Sequence, residues 1–337
     1  MTTAAFPDIS TDLSEAGSAG APTATAAPAL ATTAKPTAGP EANPVTMELV
    51  HRTNERDAFP TAWTHIDENR FLVNARWPHD HPFFAPAQDR RHDPLLIVET
   101  MRQTTMLITH AGLGVPVGHH FLLSALGFTG HPEHMAAGDA PIDIDVEVTC
   151  SDVHQRAGHV ARMRSDLVLR RAGQVIGSGW GQINCTSPQV YRRLRGSRTG
   201  AGSCKPHTPS LPPQQVGRTD TADVLLSPSP QQNVWRLRVD TDHGTLFQRP
   251  NDHIPGMLLL EAARQAARAL IAPEPFAPLS GDIAFSRYAE FGSPCWIQAH
   301  ELPGAEPGKR AVQVTGHQDD RLVFRATITA DAPGGGA

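Results

Sequence analysis

Only four cysteines occur in 337 residues, Cys150, Cys185, Cys204 and Cys295, and no two form a CxxC pair. That spacing excludes a disulfide framework and a thiolate zinc site and fits free thiols in a reducing cytoplasm. Long apolar runs are missing as well, so no segment is expected to span a membrane. A formal net charge of −5 gives no general attraction to nucleic acid or anionic lipid. There is no GxSxG elbow, no Walker A loop and no GxGxxG following a strand. The spaced glycines of residues 112–118 follow a helix-like run and contain Pro116, so they read as a helix exit and turn. The 17 histidines raise a metal hypothesis, and His79 and His81 would share a face of an extended segment. With His119, His120 and His131 they still form no HExxH or carboxylate-rich set, so they read as polar loop side chains, with no metal and no cofactor expected. Apolar residues make up only 39 %, and the shortfall is concentrated in residues 1–46, rich in Ala, Thr, Pro, Ser and Gly. Such a stretch buries too little to offset chain entropy and is expected to be a disordered tail; it has neither the charged start nor the apolar run of a targeting peptide.

Against these absences stands a duplication. Residues 93–107 read DPLLIVETMRQTTML and residues 254–270 read IPGMLLLEAARQAARAL, 162 positions apart at the shared Glu. Each is an apolar helix-like run interrupted by Glu, then Arg and Gln three and four positions on: Glu99, Arg102 and Gln103, then Glu261, Arg264 and Gln265. Those spacings share one helical face. A helix apolar on nearly every side is buried.

A second Pro/Gly/Ser/Thr-rich stretch, residues 196–222, reads as a linker between a first half, 47–195, and a second, 223–332. Just before it lie Tyr191-Arg192-Arg193-Leu194-Arg195 and, within it, Arg198. They are expected to be the solvated start of the linker, the alternative being a docking patch for an acidic carrier protein. In the first half IDIDVEVT (142–149) alternates as a half-buried strand, and 159–169 with 174–184 form a hairpin through Arg171-Ala172-Gly173. Second-half strands are expected at 281–288, 295–300, 311–316 and 322–329, with Asp319-Asp320 as the last turn. Each half therefore runs extended segment, one apolar helix, then antiparallel strands. A helix apolar all round must be covered on most of its circumference, and a curved antiparallel sheet does this. The expected class is α+β, a tandem (double) hotdog, in which two units pair edge strands to close a site.

A surface Glu–Arg pair at i, i+3 contributes only about 0.2–0.5 kcal/mol. Burying it costs several kcal/mol per ion before partners are found, and buried ionisable groups concentrate at functional sites. Glu261 and Arg264, and next Glu99 and Arg102, are therefore the leading catalytic candidates. A carboxylate in an apolar tunnel is expected to have its pKa raised, as suits a general acid/base. Upstream of each helix lies a polar, aromatic segment, 77–84 with His81 and 242–256 with Arg249 and His253. Pro255-Gly256 opens the second helix, where backbone N–H groups can hold an oxyanion or phosphate, although Pro is favoured there anyway. His253 suits catalysis, helix capping or substrate contact.

WPxxHPFF, DPLLIVETMRQ, HAGLGVPVGHHFLL and DHIPGMLLLEAARQAA together resemble the A-factor biosynthesis hotdog family, the γ-butyrolactone, butenolide or furan signal synthases of actinomycetes. PGMLLLEAARQ is also similar to a segment of β-hydroxyacyl-carrier-protein dehydratases. The resemblance covers residues 47–332. It implies transfer of a β-ketoacyl group from a thioester, on acyl carrier protein or coenzyme A, to the hydroxyl of dihydroxyacetone phosphate. It implies Glu99, Glu261 and Arg264 as the working residues. The internal repeat adds Arg102, with Gln103, Gln265, Gly256, His253, Arg249 and His81 as substrate contacts. One departure stands out: Gln248-Arg249-Pro250 replaces an Asp-His-Pro segment, so a cation stands where a histidine is usual. Either a monomeric pseudo-dimer or a homo-oligomer is implied. A hotdog dehydratase/hydratase or thioesterase, or a non-catalytic acyl-ligand-binding module, remains as the alternative.

Overall fold

A computed structural model describes residues 42–84, 90–200 and 202–332. The first half contains β1 (Asn43–Pro44), β2 (Pro60–Asp67), β3 (Arg70–Trp77), α1 (Leu95–Leu107), β4 (His120–Gly130), β5 (Ile142–Arg156), β6 (His159–Arg171), β7 (Gln174–Thr186) and α2 (Pro188–Arg195). The second contains β8 (Leu226–Pro228), β9 (Val234–Leu237), α3 (Gly256–Ile271), β10 (Ser280–Phe285), β11 (Trp296–Leu302), β12 (Lys309–Gln318) and β13 (Arg321–Asp331). All strand pairs are antiparallel, in the order β1-β2-β3-β5-β6-β7-β4-β10-β13-β12-β11-β9-β8. The β4–β10 ladder joins the halves, with Ile283 opposite Leu126. Two helix-wrapping sheets thus pair edge to edge within one chain, a tandem hotdog of α+β class.

Local chemistry explains the elements. Burial alternates along β5, with Ile142, Ile144, Val146 and Val148 inward and Asp143, Asp145 and Glu147 outward. The two-residue loops Ala172-Gly173 and Asp319-Asp320 have positive φ throughout (48° and 81°, 49° and 58°), the mirror-image turns that match strand twist. Both expected hairpins therefore form. α1 lies close against β7: a methyl group at Gly177 would sit 2.5 Å from Ile97 Cδ1, and one at Gly179 2.5 Å from Met101 Cε. Leu95, Leu96, Ile97 and Leu107 on α1, and Leu258 and Leu260 on α3, are fully buried, each contributing on the order of 1.5–3 kcal/mol.

Residues 1–41 of the expected tail lie outside the described residues, whereas Asn43 and Pro44 within it pair with Trp63 and Ala62 of β2. The basic run before the expected linker is α2, capped by Ser187, whose hydroxyl accepts the Val190 N–H. Its buried Arg195 binds Asp252 (3.0 Å) and Glu290 (2.8 Å), which corrects the expectation of a fully solvated run. Arg192, Arg193 and Arg198 do face solvent. The 196–222 segment contains short 3-10 turns, including Pro213–Val216, and carries a buried arginine, Arg218, into the interior.

Candidate active site

The Glu-Arg-Gln triplet of α1 is sealed inside the fold, with Glu99 only 1 % exposed. Arg102 grips its carboxylate through Nε (2.9 Å) and Nη2 (2.8 Å). Arg52, from the loop before β2, adds Nε at 3.0 Å and a second, closer Nη2 contact. Gln103 donates to Glu99 and to the Asp57 carbonyl (2.6 Å), while its own carbonyl accepts the Phe59 N–H (2.8 Å). Asp57 also binds His81 Nε2 (2.9 Å), and His81 Nδ1 accepts the N–H groups of Phe83 and Phe84.

The second half repeats this construction group by group. Arg218 donates Nε to Glu261 (2.8 Å), and Arg264 donates Nη1 (3.1 Å). Gln265 donates to Glu261 (2.8 Å) and the Asp223 carbonyl (2.8 Å) and accepts the Leu225 N–H (2.8 Å). His243 binds Asp223 (3.1 Å) and accepts from Thr245 and Leu246. The clusters also cross-lock the halves: Arg52 donates to the Thr245 carbonyl (3.4 Å), and Arg218 to its counterpart, the Phe83 carbonyl (2.8 Å).

The copies differ in charge. Asp93, at the start of α1, reaches into the second cluster and binds Arg264 (2.9 Å) and Arg218 (3.6 Å). Its repeat counterpart is Pro255, so the first cluster gains no second carboxylate. Arg52 and Arg102 hold Glu99, with Arg249 beside those two arginines; around Glu261 and Asp93 stand Arg218, Arg264 and Arg268. Burial lowers the pKa of Arg52, and Arg102 lowers it further, beyond what Glu99 restores. Burial also opposes the charge on Arg218, yet Glu261 and Asp93 outweigh it and raise that pKa. Partial covering and the neighbouring Arg102 and Arg52 pull Arg249 down to about 10. One cluster is short of negative charge; the other is closer to balance.

The carboxylate expectation needs correcting. Burial alone would raise the pKa of Glu99, but Arg102, Arg52 and the Gln103 hydrogen bond overcome it and hold the group at about 2. Glu99 is therefore a fixed anion, and both its oxygens are taken up by donors from Arg52, Arg102 and Gln103.

Histidines lie beside it. After α1 the chain widens into a π turn, Ile108–Gly112, a distortion frequent at functional sites. His110 on that turn places Nδ1 2.7 Å from the Val115 carbonyl, which can only accept, so Nδ1 carries the proton and Nε2 is an acceptor. His51 Nε2 lies 2.9 Å from His110 Nε2 and must donate. His51 Nδ1 is then left as an acceptor and receives Arg249 Nη2–H at 3.0 Å. Both rings are held neutral: burial lowers His110, and burial followed by Arg249 and Arg102 pulls His51 down to about 3. Phe121 closes one side, its ring 5.4 Å from His51 and 5.0 Å from His110.

Of the residues expected from sequence, Glu99, Arg102 and Gln103 share one cluster with His81 behind them, and Arg249 stands beside it. Glu261, Arg264 and Gln265 share the other. Gly256 opens α3 behind Pro255. His253 belongs elsewhere: its Nδ1 binds Asp252 (2.6 Å), which also accepts from the Tyr191 hydroxyl (2.8 Å) and Arg195. Sequence reasoning missed Arg52, Arg218, Asp93, His51 and His110. A weaker repeat signalled the first two: HRTNERD (51–57) and GRTDTAD (217–223) share Arg-Thr and a closing Asp. Among the described residues no group of three or more His, Cys, Asp or Glu is placed to hold a metal. Two hollows of about 40 and 120 Å³ lie against the second half, and neither is lined by Glu99 or Glu261, so they are not the acyl tunnel expected around those carboxylates.

Fold and site together define a tandem hotdog protein built around two buried Glu–Arg clusters. The chain belongs to the A-factor biosynthesis hotdog domain family, which it matches over residues 33–187 and 202–332. It is 53 % identical over 289 residues to the 2-oxo-3-(phosphooxy)propyl 3-oxoalkanoate synthase of Streptomyces coelicolor, covering 86 % of this chain and 92 % of that one. Enzymes of the same name from Streptomyces griseus and Streptomyces virginiae are 48 % and 47 % identical, covering 85 % and 84 % of this chain and 95 % and 96 % of theirs. Among solved structures it is similar to the 12:0-ACP thioesterase of Umbellularia californica, at 12 % identity and TM-score 0.49, covering 77 % of this chain and 94 % of that one.

Proposed function

We propose that this chain is an acyltransferase that joins a β-ketoacyl thioester to the hydroxyl of dihydroxyacetone phosphate, giving the ester named in its relatives. We further assign the working site to the first cluster. The single observation that carries this assignment is the charge inequality: Arg52 and Arg102 share the one carboxylate of Glu99, with Arg249 as a further cation beside them, whereas Asp93 supplies a second carboxylate to Arg218 and Arg264 beside Glu261. A dianionic phosphate is the ligand such an excess fits, and the planar fork of arginine matches its oxygens. Arg102, 20 % exposed, and the exposed Arg249 are the cations a phosphate can reach from solvent. Glu99 then fixes Arg52 and Arg102 in place. Glu261 and Arg264 hold the halves together, with Gly256 at the start of α3 as a candidate donor to the thioester carbonyl. The β4–β10 pairing within one chain supports a monomeric pseudo-dimer. Among the described residues no helix is long and apolar enough to cross a membrane.

The test is incubation with a β-ketoacyl thioester, on coenzyme A and on acyl carrier protein, with and without dihydroxyacetone phosphate. Thiol release that requires the triose phosphate, with the ester mass detected, is expected. Release without it means a thioesterase, and tight binding without turnover means an acyl-ligand-binding module.

A further inference from the structure

The second half serves as an internal reference for the first. Immediately before its buried arginine it has Gly217 at φ 71°, while the first half holds His51 at φ 55° in the same place. Left-handed backbone suits glycine and is disfavoured for a residue with a side chain, and such conformations persist where the side chain has work. The second difference is at the helix ends. α3 stops at Ile271, and Ala272 is the counterpart of His110, which the first half carries on a π turn. Both histidines are thus confined to the cation-rich cluster, and they touch each other there.

Resting on the acyl-transfer reading above, we propose that His51 is the general base for the acceptor hydroxyl and that Arg249 is its gate. Nδ1 is the one lone pair in the Arg249–His51–His110–Val115 chain that is not committed within the protein's own imidazoles and backbone, and Arg249 occupies it. A phosphate dianion arriving at Arg249 and Arg102 competes for the same guanidinium hydrogens. Once Arg249 turns to the phosphate, Nδ1 is uncovered beside the hydroxyl of the same molecule. The hydroxyl proton passes to Nδ1, and the oxygen attacks the thioester carbonyl. The tetrahedral intermediate then collapses, the new C–O bond is kept and the C–S bond breaks. The departing thiolate takes the proton back from Nδ1, leaving ester and thiol with His51 neutral again. Neutralising Arg249 and Arg102 also removes two of the charges that oppose protonation of His51. The remaining groups facing the pair are Arg52, His119 and Glu48. The donor thioester is therefore protected from hydrolysis until the acceptor has bound.

Histidine-selective NMR with inorganic phosphate as probe tests the gate without turnover. The His51 resonances are identified by their loss in His51→Gly, which restores the second half's own residue at a glycine-compatible φ. Saturating phosphate is expected to move the His51 titration up by at least one pH unit. A His51 signal unchanged while phosphate binds, or no phosphate binding at all, overturns the gate. In turnover, His51→Gly is expected to lower kcat about 100-fold or more, the range of a general base. KM for dihydroxyacetone phosphate should stay within a few-fold, and added imidazole should restore part of the rate. If the wild-type protein forms ester and His51→Gly forms it as fast, the base assignment fails alone. If wild-type protein forms no ester, the acyl-transfer reading fails first.

Discussion

Replacing Glu261 with glutamine separates a structural second cluster from a catalytic one. The amide keeps the shape and the Gln265 contact but removes the charge 2.6 Å from Arg218 and 3.1 Å from Arg264. Those guanidinium side chains are 9 % and 8 % exposed, so water cannot replace it. Asp93 remains, 2.9 Å from Arg264 and 3.6 Å from Arg218, a single carboxylate for two buried cations. Removing one partner of a buried pair costs about 3–5 kcal/mol, and Asp93 places this variant near the lower end. At roughly 2–4 °C per kcal/mol for a domain of this size, Tm should fall by about 6–12 °C. Melting curves followed by circular dichroism measure that loss, and ester formation measured well below Tm should stay within about threefold of wild type. An unchanged Tm with turnover abolished would refute the reasoning, because it would make Glu261 the reacting group and move the working site to the second half.

Glu99→Gln should behave differently, since it takes from Arg52 and Arg102 the carboxylate that both of them grip. It should lose about 3–5 kcal/mol in phosphate-free buffer and regain much of it in phosphate, where a ligand at 100 Kd contributes about 2.7 kcal/mol; equal phosphate stabilisation of variant and wild type would count against the clamp. Arg249→Ala should raise KM for dihydroxyacetone phosphate at least tenfold, about 1.4 kcal/mol, and allow slow thiol release in its absence; an unaltered KM removes Arg249 from the site. The protein should also lose stability in mild acid. Burial holds His51 at about 3 and His92 at about 4, below the ordinary 6.5. The unfolded chain therefore binds protons that the native chain refuses. Stability is complete above pH 6.5 and falls as pH drops toward 4. Urea midpoints at pH 7.5 and 5 should differ in that direction, and equal midpoints would mean that these rings ionise freely in the fold.

Periodicity carried far into this fold. The two apolar runs form α1 and α3, and the alternating segments form β5 to β7 and β10 to β13, because in each case a buried face repeats at the period of its element. β2 and β3 were not legible, since PTAWTHID and RFLVNARW mix aromatic and polar residues without clean alternation. α2 was hidden by its charge: YRRLR reads as solvent-facing until Asp252 and Glu290 supply buried partners for Arg195. The Glu-Arg-Gln triplets were legible because one helix carries all three residues. Arg52 and Arg218 were not, because they arrive from loops distant in sequence, one of them inside a stretch whose composition reads as a linker. The direction of the Glu99 shift followed the same omission. One arginine against burial leaves the outcome open, and the second decides it.

Duplication gives the clusters their meaning. A group retained in both halves does what both halves need, and here that need is visible: each buried Arg spans from its own Glu to a backbone carbonyl of the opposite half, Arg52 to Thr245 and Arg218 to Phe83. The shared Glu–Arg–Gln frame thus ties each half to the other through a guanidinium. Chemistry is more sharply indicated where the copies part. Asp93 replaces proline and balances the second cluster, His51 replaces glycine at an unfavourable φ, and His110 replaces alanine on a widened turn. Each change either draws negative charge toward the second half or adds a proton-carrying ring to the first. A fastening needs neither change. A site that binds a phosphate and moves one proton needs both.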